Sequence, residues 1–431
     1  RPSPSPQQIS VGGQRKTLPV DAPLHGIRII ECSALGPAAS TMPLVDLGAE
    51  VIKVEPLSGD YIREMTWPIV EGVSLMHLHI NRGKRSIVMD LRNDEDVATF
   101  KELAMTADVV VEAMRPGGLA RRGLGYDQLR ELNPRLVFCT ISGYGMTGPY
   151  QNLPAHGIAF DTWAGIVSPQ VNAEGFAYLP EHASMGIHAG PLFGALGIVA
   201  AVLRAKSTGE GSFLEVAQSD AAAAMDWYRS ETWRAYERPE SEVTGNKADG
   251  YERREPGTAG MVEGVRYQVY EAKDGRYVLF MASEQTFWKN FCEAVDRLDM
   301  FERWPGSKFA DHARNNVEMR RELRDIFRTR TAEEWIDFGV TANFPVSPVN
   351  SPRTIAEDPQ FIDRFHWYST EQLGAEQLPT PLKFVGEELP IPSHAPTVGQ
   401  DTEAVLHDVL GWDDERIAES RARGGLGGRR S

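Results

Sequence analysis

The sequence predicts an α/β fold: a large, doubly wound, Rossmann-like parallel sheet with a smaller α+β domain beside it. Three observations lead there. The segment 27–60 reads as strand, Gly36-Pro37 turn, helix, and second strand. Its apolar runs, Ile27 to Ile30 and Val51, Ile52 and Val54, do not alternate, as expected of strands covered on both faces. The same βαβα order continues to about residue 215, whereas 265–350 changes to an alternating pattern around an Asp274-Gly275 turn.

In chain order, residues 1–22 are rich in Pro, Ser, Gln and Gly and are expected to form a flexible arm. Strands are predicted near 27–32, 50–55, 86–90, 108–113 and 135–141, with helical segments between them. The glycine-proline turn after the first strand lets backbone approach a ligand and starts a helix cleanly, a layout suited to an anion at a helix N-terminus. The absence of G-x-G-x-x-G argues against a standard dinucleotide site. Further helices are predicted at 190–206 and 214–235, then a Gly/Glu/Arg-rich loop at 243–264. A hairpin over 265–282 and helices near 284–296, 314–328 and 332–339 complete the small domain. The expected organisation is a large domain from 23–235, a small domain with linkers over 236–350, a return segment at 351–420, and a flexible tail at 421–431.

With 431 residues the chain has ample length for a core and two or three domains. A formal charge of −15 argues against nucleic acid as the main partner. Basic residues nevertheless gather at Lys84, Arg85, Arg92, Arg115, Arg121 and Arg122. Cys32, Cys139 and Cys292 are too few and too dispersed for a disulfide framework or zinc site, and read as core residues. No run approaches the roughly 18–20 apolar residues of a membrane span, and no secretory signal precedes the first strand. The expectation is a cytoplasmic protein with no membrane and no nucleic-acid partner.

Several stretches, in order, carry a family likeness: 27–60, NRGKRSIVMDL (81–91), DVVVEAMRPGGLARRGLGYDQL (108–129), GYGMTGPY (143–150), GALGIVAAVLRAKSTGEG (194–211) and HAPTVGQDTEAVLHDVLGW (394–412). Across roughly residues 24–418 the chain resembles the family III CoA-transferases, relatives of carnitine/formyl-CoA transferase and α-methylacyl-CoA racemase. The resemblance implies a large domain closed by both ends of the chain, and two subunits threaded as interlocked rings. It implies acyl-CoA and carboxylic acid substrates, with no tightly bound cofactor. It sets Ala34 and Leu35 beside pantetheine or adenine, and Met89 and Arg92 near the nucleotide. Met114 and Arg115 fall on an N-F-R-P-G motif and Arg121 on its phosphate-contacting arginine. Taken singly, each of these arginines also reads as an ordinary surface charge. Ala113 stands where the family usually has asparagine, so one hydrogen bond to CoA is expected to be lost.

The nucleophile position departs further. In the transferases an aspartate in D-x-x-x-G attacks the donor thioester. Here the matching segment is Ser184-Met185-Gly186-Ile187-His188-Ala189-Gly190, so the aspartate falls on Gly186, or on Ile187 with a one-residue slip. The racemase motif H-D-I-N-Y is matched by His156-Gly157-Ile158-Ala159-Phe160, which keeps the histidine and loses its acidic neighbour. Glu284 is the candidate carboxylate partner for His156, and Glu181 a more distant substitute for the nucleophile. His182 and His188 make a weak metal signal without Cys or paired carboxylates, and Asp161 reads as structural or substrate-orienting. The aromatics Phe160, Trp163, Phe176 and Tyr178 suit a bulky or aromatic acyl group, or a core.

The expectation is a CoA-transferase subunit working on a donor such as succinyl-CoA, lacking its own nucleophile and paired with a catalytic paralogue. Paired paralogues occur in the resembled family, as in the succinyl-CoA:benzylsuccinate CoA-transferases of anaerobic toluene breakdown. The alternatives are a stand-alone acyl-CoA isomerase or epimerase using His156 and Glu284, a non-catalytic CoA-binding scaffold, and a homodimeric transferase with another nucleophile.

Overall fold

A computed structural model describes residues 22–247, 250–257 and 262–427. The expected arm, apart from residue 22, and positions 428–431 of the expected tail lie outside these. The chain divides into two units, one running to Met225 and resuming at Phe365, the other Asp226–Arg364. The first unit thus ends ten residues before the expected boundary at 235, and its return begins after 351.

The main sheet of the first unit has six strands: β1 (Arg28–Cys32), β2 (Glu50–Glu55), β3 (Arg85–Val88), β4 (Val109–Glu112), β5 (Val137–Ser142) and β6 (Ser212–Ala217). They form one sheet in the order β6-β5-β4-β1-β2-β3, with every neighbouring pair parallel. The helices that matter here are α1 (Leu35–Ala38), α2 (Asp94–Thr106), α3 (Ile158–Trp163), α4 (Gly186–Thr208) and α5 (Gln218–Met225). Ile30, Ile52, Val110 and Phe138 face one buried layer with Phe100 and Leu103 of α2. Ile29, Val51, Val109 and Cys139 face the other with Ala195, Ile198 and Val202 of α4. Burial on both faces is why these strands read as unbroken apolar runs.

One strand was misread. Residues 212–217 were expected to enter a helix at 214, but SFLEVA pairs with β5 at the sheet edge. Its burial alternates, the period of an edge strand, and Ala-rich α5 starts only at Gln218. The opposite edge, β3, is covered by the returning chain. Asp401 N–H donates to Ser86 O (2.9 Å), Ser86 N–H to Asp401 Oδ2 (2.9 Å) and Gly399 N–H to Ser86 Oγ (2.8 Å). A free edge would leave those groups unpaired.

Residues 421–427, expected in a flexible tail, are held. Buried Leu426 joins the core, its N–H meets Asp96 Oδ1 (2.5 Å), and Gly427 N–H meets Asp96 Oδ2 (3.2 Å). The glycines there permit the turns that bring the backbone onto Asp96, and composition alone had suggested only flexibility.

Among the described residues α4 is the one helix long and apolar enough to cross a membrane. Its inner face lies in the core beneath the sheet, while Leu192, Leu196 and Leu203 stay exposed.

The second unit carries an antiparallel sheet of β7 (Gln268–Glu271), β8 (Tyr277–Phe280) and β9 (Val346–Pro348), with the Asp274-Gly275 turn joining the first two. Helices α6 (Gln285–Ala294), α7 (Val317–Phe327) and α8 (Ala332–Ala342) close its core around Trp288, Phe291, Phe327 and Trp335. In the first unit, α9 (Thr402–Leu410) and α10 (Asp414–Ala422) then follow.

Candidate functional site

The chain leaves β1 toward β2 and β3 on one side, then crosses to β4, β5 and β6 on the other. The crevice outside the carboxyl ends of β1 and β4 is therefore the switch point where open α/β sheets bind ligands. Two predicted segments end there, Ala34-Leu35-Gly36 after β1 and Ala113-Met114-Arg115 after β4.

The first loop is pinned from beneath. Buried Lys53 donates to Ser33 O (2.5 Å) and Glu31 Oε1 (3.1 Å) and forms an ion pair with Asp60 Oδ2 at 3.0 Å. Buried Lys84 donates to Glu31 Oε2 (2.7 Å), Ala38 O (2.8 Å) and Asn81 Oδ1 (3.0 Å). One lysine thus holds the start of the loop and the other its end. Burial opposes charge on all three side chains. Lys84 and Lys53 still hold Glu31 below the usual carboxylate range, and Glu31, Asp60 and Glu55 raise Lys53. Lys84 faces one close carboxylate and the Lys53 cation, and burial brings it down to about 8. Between these anchors Leu35 adopts φ +54°, in the left-handed region that disfavours a side chain.

In the second loop Met114 N–H donates to Glu112 Oε2 (2.7 Å), and Arg115 is exposed. Arg121 folds back so that Nη1 donates to Pro116 O (3.1 Å), over Gly117 at φ +73°. Arg92 is exposed and bound to Asp90 through Nε (2.8 Å) and Nη2 (2.9 Å). The Arg92 hydrogen bonds hold Asp90 below its ordinary range. The Met89 side chain is 2 % exposed and packs in the sheet core, which leaves its backbone as the part able to meet a nucleotide. It directly follows β3, where the register turns it inward.

His156 is exposed, at the entrance to α3. Gly157, which follows it, and Gly36 both lie against Ile187: a Cβ at Gly157 would meet Ile187 Cγ2 at 3.1 Å, and one at Gly36 would meet Ile187 Cβ at 3.7 Å. So the histidine loop, the β1 loop and the first turn of α4 converge. Glu284 lies in the second unit, exposed, as the N-cap residue of α6 without a side-chain cap. His188 and Glu181 are exposed. Of the aromatics, Phe160 is buried, whereas Trp163, Phe176 and Tyr178 are exposed. Tyr144 stacks edge-on against Phe160 and Trp163 at 5.7 and 6.2 Å.

The position expected for the nucleophile is closed. A Cβ on Gly186 would fall 2.6 Å from Phe160 Cβ. Beside it sits Asp161, fully buried, whose Oδ1 accepts from Gly186 N–H (2.8 Å) and whose Oδ2 lies 3.2 Å from His182 Nε2. Asp161 therefore supplies the cap that α4 lacks in its own sequence, and its negative charge suits the helix N-terminus. Sequence reading identified Asp161 as structural or orienting but gave no sign of its partners, which lie 21 and 25 residues away. Two further polar groups at this end of the sheet were missed. Ser33 Oγ and Gln218 Oε1 are buried with no hydrogen-bond partner among the described residues. Such an atom costs about 1–3 kcal/mol.

His182 faces acceptors with both ring nitrogens, Pro180 O (3.1 Å) and Asp161, which the imidazolium satisfies as donor to both. The Pro180 carbonyl and then Asp161 raise it above the ordinary 6.5, against the effect of burial. A raised histidine stabilises fully below its unfolded value and loses that contribution as pH rises through its folded value. Urea unfolding measured from about pH 5.5 to 8.5 should thus show stability falling above roughly 6.5 in the wild type. His182→Gln should flatten that segment; an unchanged profile would remove the ion pair from the account.

A family model described as CoA-transferase family III matches residues 24–402. Human succinyl-CoA:glutarate CoA-transferase is 30 % identical over 416 residues, covering 93 % of this chain and 89 % of that one. The succinyl-CoA–L-malate CoA-transferase beta subunit of Chloroflexus aurantiacus is 27 % identical over 93 % of this chain and 97 % of its own. The fold of a CAIB/BAIF family protein from Brucella suis superposes with a TM-score of 0.71 at 24 % identity, over 90 % of this chain and 99 % of that one. The switch-point crevice, the ordered motifs and a match over nearly the whole chain agree: this protein belongs to CoA-transferase family III, and its chemistry is that of a CoA-transferase acting on acyl-CoA thioesters.

Proposed function

We propose that this chain is the supporting subunit of a cytoplasmic, heteromeric CoA-transferase. CoA passes between a donor such as succinyl-CoA and a carboxylic acid acceptor, and a paralogous subunit supplies the nucleophilic aspartate. That aspartate adds to the donor thioester carbonyl, expelling CoA thiolate and leaving a mixed anhydride. The thiolate then attacks the aspartyl carbonyl, releasing the donor acid and forming an aspartyl-CoA thioester. The acceptor carboxylate repeats the two steps in reverse. On this chain Ala34, Leu35, Arg92, Met114, Arg115 and Arg121 bind CoA, the arginines neutralising its phosphates.

The observation that carries the reading is the filled space at Gly186, together with an Asp161 carboxylate buried and engaged at both oxygens. Neither can attack a thioester. A relative named as a beta subunit supports assembly from unlike chains, and the exposed apolar face of α4 gives such a partner a seat.

The test measures CoA transfer from succinyl-CoA to aliphatic and aromatic acids, using the purified chain alone and then with its paralogue. Turnover only in the mixture is expected. Turnover by the chain alone would overturn the reading, and loss of that activity in His156→Ala or in Glu181→Gln would assign the chemistry. CoA binding without turnover in either case would leave a scaffold.

A further inference from the structure

Gln218 opens α5 directly after β6, and only 6 % of it is exposed. Its carboxamide oxygen has no hydrogen-bond partner among the described residues. The direction of that oxygen is fixed by the glycines around it. A Cβ on Gly36 would lie 3.1 Å from Oε1, and the same point is 3.7 Å from Ile187 Cβ and from Ile187 O. A Cβ on Gly190 would strike Gln218 Cγ at 2.7 Å, so the side chain rests where α4 has no side chain of its own. The acceptor thus sits where the β1 loop meets the first turn of α4, at the switch point of the sheet.

Packing alone does not call for an amide there. Methionine or leucine would fill the same volume without stranding an acceptor, and replacing a buried, unpaired polar group by an apolar one is neutral or stabilising. Beside the oxygen runs the backbone of Gly36, next to Leu35 at φ +54°, a strained conformation for leucine. Ser33 Oγ, two residues before Leu35 in the same loop, is a second buried polar atom without a hydrogen-bond partner among the described residues.

We infer that Gln218 is a ligand-recognising residue of this site, its carboxamide oxygen accepting a hydrogen bond from an N–H or O–H group of the bound CoA thioester close to the reacting carbonyl. The donor is a pantetheine amide or a hydroxyl on the acyl chain. This rests on the CoA-handling reading above. Because Gln218 Oε1 and Ile187 share one neighbouring point, the recognised group lies beside the vacant nucleophile position and distant from the phosphates.

The test is calorimetric titration of the full-length chain, wild type and Gln218→Met, with CoA, propionyl-CoA and lactoyl-CoA, alongside thermal melts. Gln218→Met should melt at or above the wild-type temperature while binding weakens by about tenfold. Weakening of all three ligands identifies the pantetheine amide, and weakening of lactoyl-CoA alone identifies the acyl hydroxyl. Unchanged binding of all three overturns the inference, as does a lower melting temperature with unchanged binding, which makes Gln218 structural. Gln218→Leu repeats the comparison with a second apolar shape. Failure of the wild type to bind any of the three overturns the CoA reading itself, and the inference falls with it.

Discussion

Replacing Lys84 with methionine lowers the unfolding free energy by about 3–5 kcal/mol, the cost of removing one partner from a buried ion-pair cluster. Glu31 is fully buried and shares its carboxylate among Lys84, Lys53 and Thr41. Lys53 keeps its bond to Glu31 Oε1 but has no spare donor for Oε2, because its remaining donors serve Asp60 and Ser33 O. The variant also frees Ala38 O, so the far end of the β1 loop loses its anchor, and CoA affinity should fall with stability. Urea unfolding at neutral pH checks the first effect. The double variant Glu31→Gln/Lys84→Met should lose less than the sum of the two single changes, since the stranded charge is then gone. A loss under about 1 kcal/mol for Lys84→Met would place the pair among those that contribute little.

Gly186→Asp does not confer turnover on the isolated chain, and it destabilises the fold by about 1–3 kcal/mol through overpacking. The new Cβ would lie 2.6 Å from Phe160 Cβ. Truncating Phe160 to alanine gives no relief, because the nearest atom is the one alanine keeps; only glycine at 160 opens the space. The incoming carboxylate would also stand beside Asp161, which receives the Gly186 N–H, and like charges so placed disfavour each other's ionised form. Denaturation together with a succinyl-CoA transfer assay checks both parts. Activity from Gly186→Asp alone, at undiminished stability, would mean that the pocket is one substitution from a working transferase, and that no partner subunit is needed.

The legibility of this chain varied with the range of the interactions involved. Strands β1, β2, β4 and β5 were readable because burial on both faces leaves an unbroken apolar run. The hairpin was readable because Asp274-Gly275 meets a local backbone demand. Strand β6 was not, because SFLEVA borders an Ala-rich helix and its pairing partner lies 75 residues back on β5. The burial of the Met89 side chain was not legible for a related reason: a motif match gives a position in the chain, whereas the packing at the end of β3 decides which way the side chain turns. The held segment 421–427 depends on a carboxylate more than 300 residues away, Asp96, which no window on the tail contains.

The sequence by itself determined the family, the parallel sheet, the two loops at its carboxyl ends, and the absence of a carboxylate at position 186. These follow from residue identity, local pattern and order along the chain. Tertiary structure alone decided that Phe160 fills the space beside Gly186, that Asp161 caps α4 and holds His182, that Lys53 and Lys84 anchor opposite ends of the β1 loop, and that Gln218 is left with an oxygen unpaired among the described residues. Each is a contact between distant segments, set by close packing and by the need to pair buried polar groups. Neither condition has a local signature in the chain.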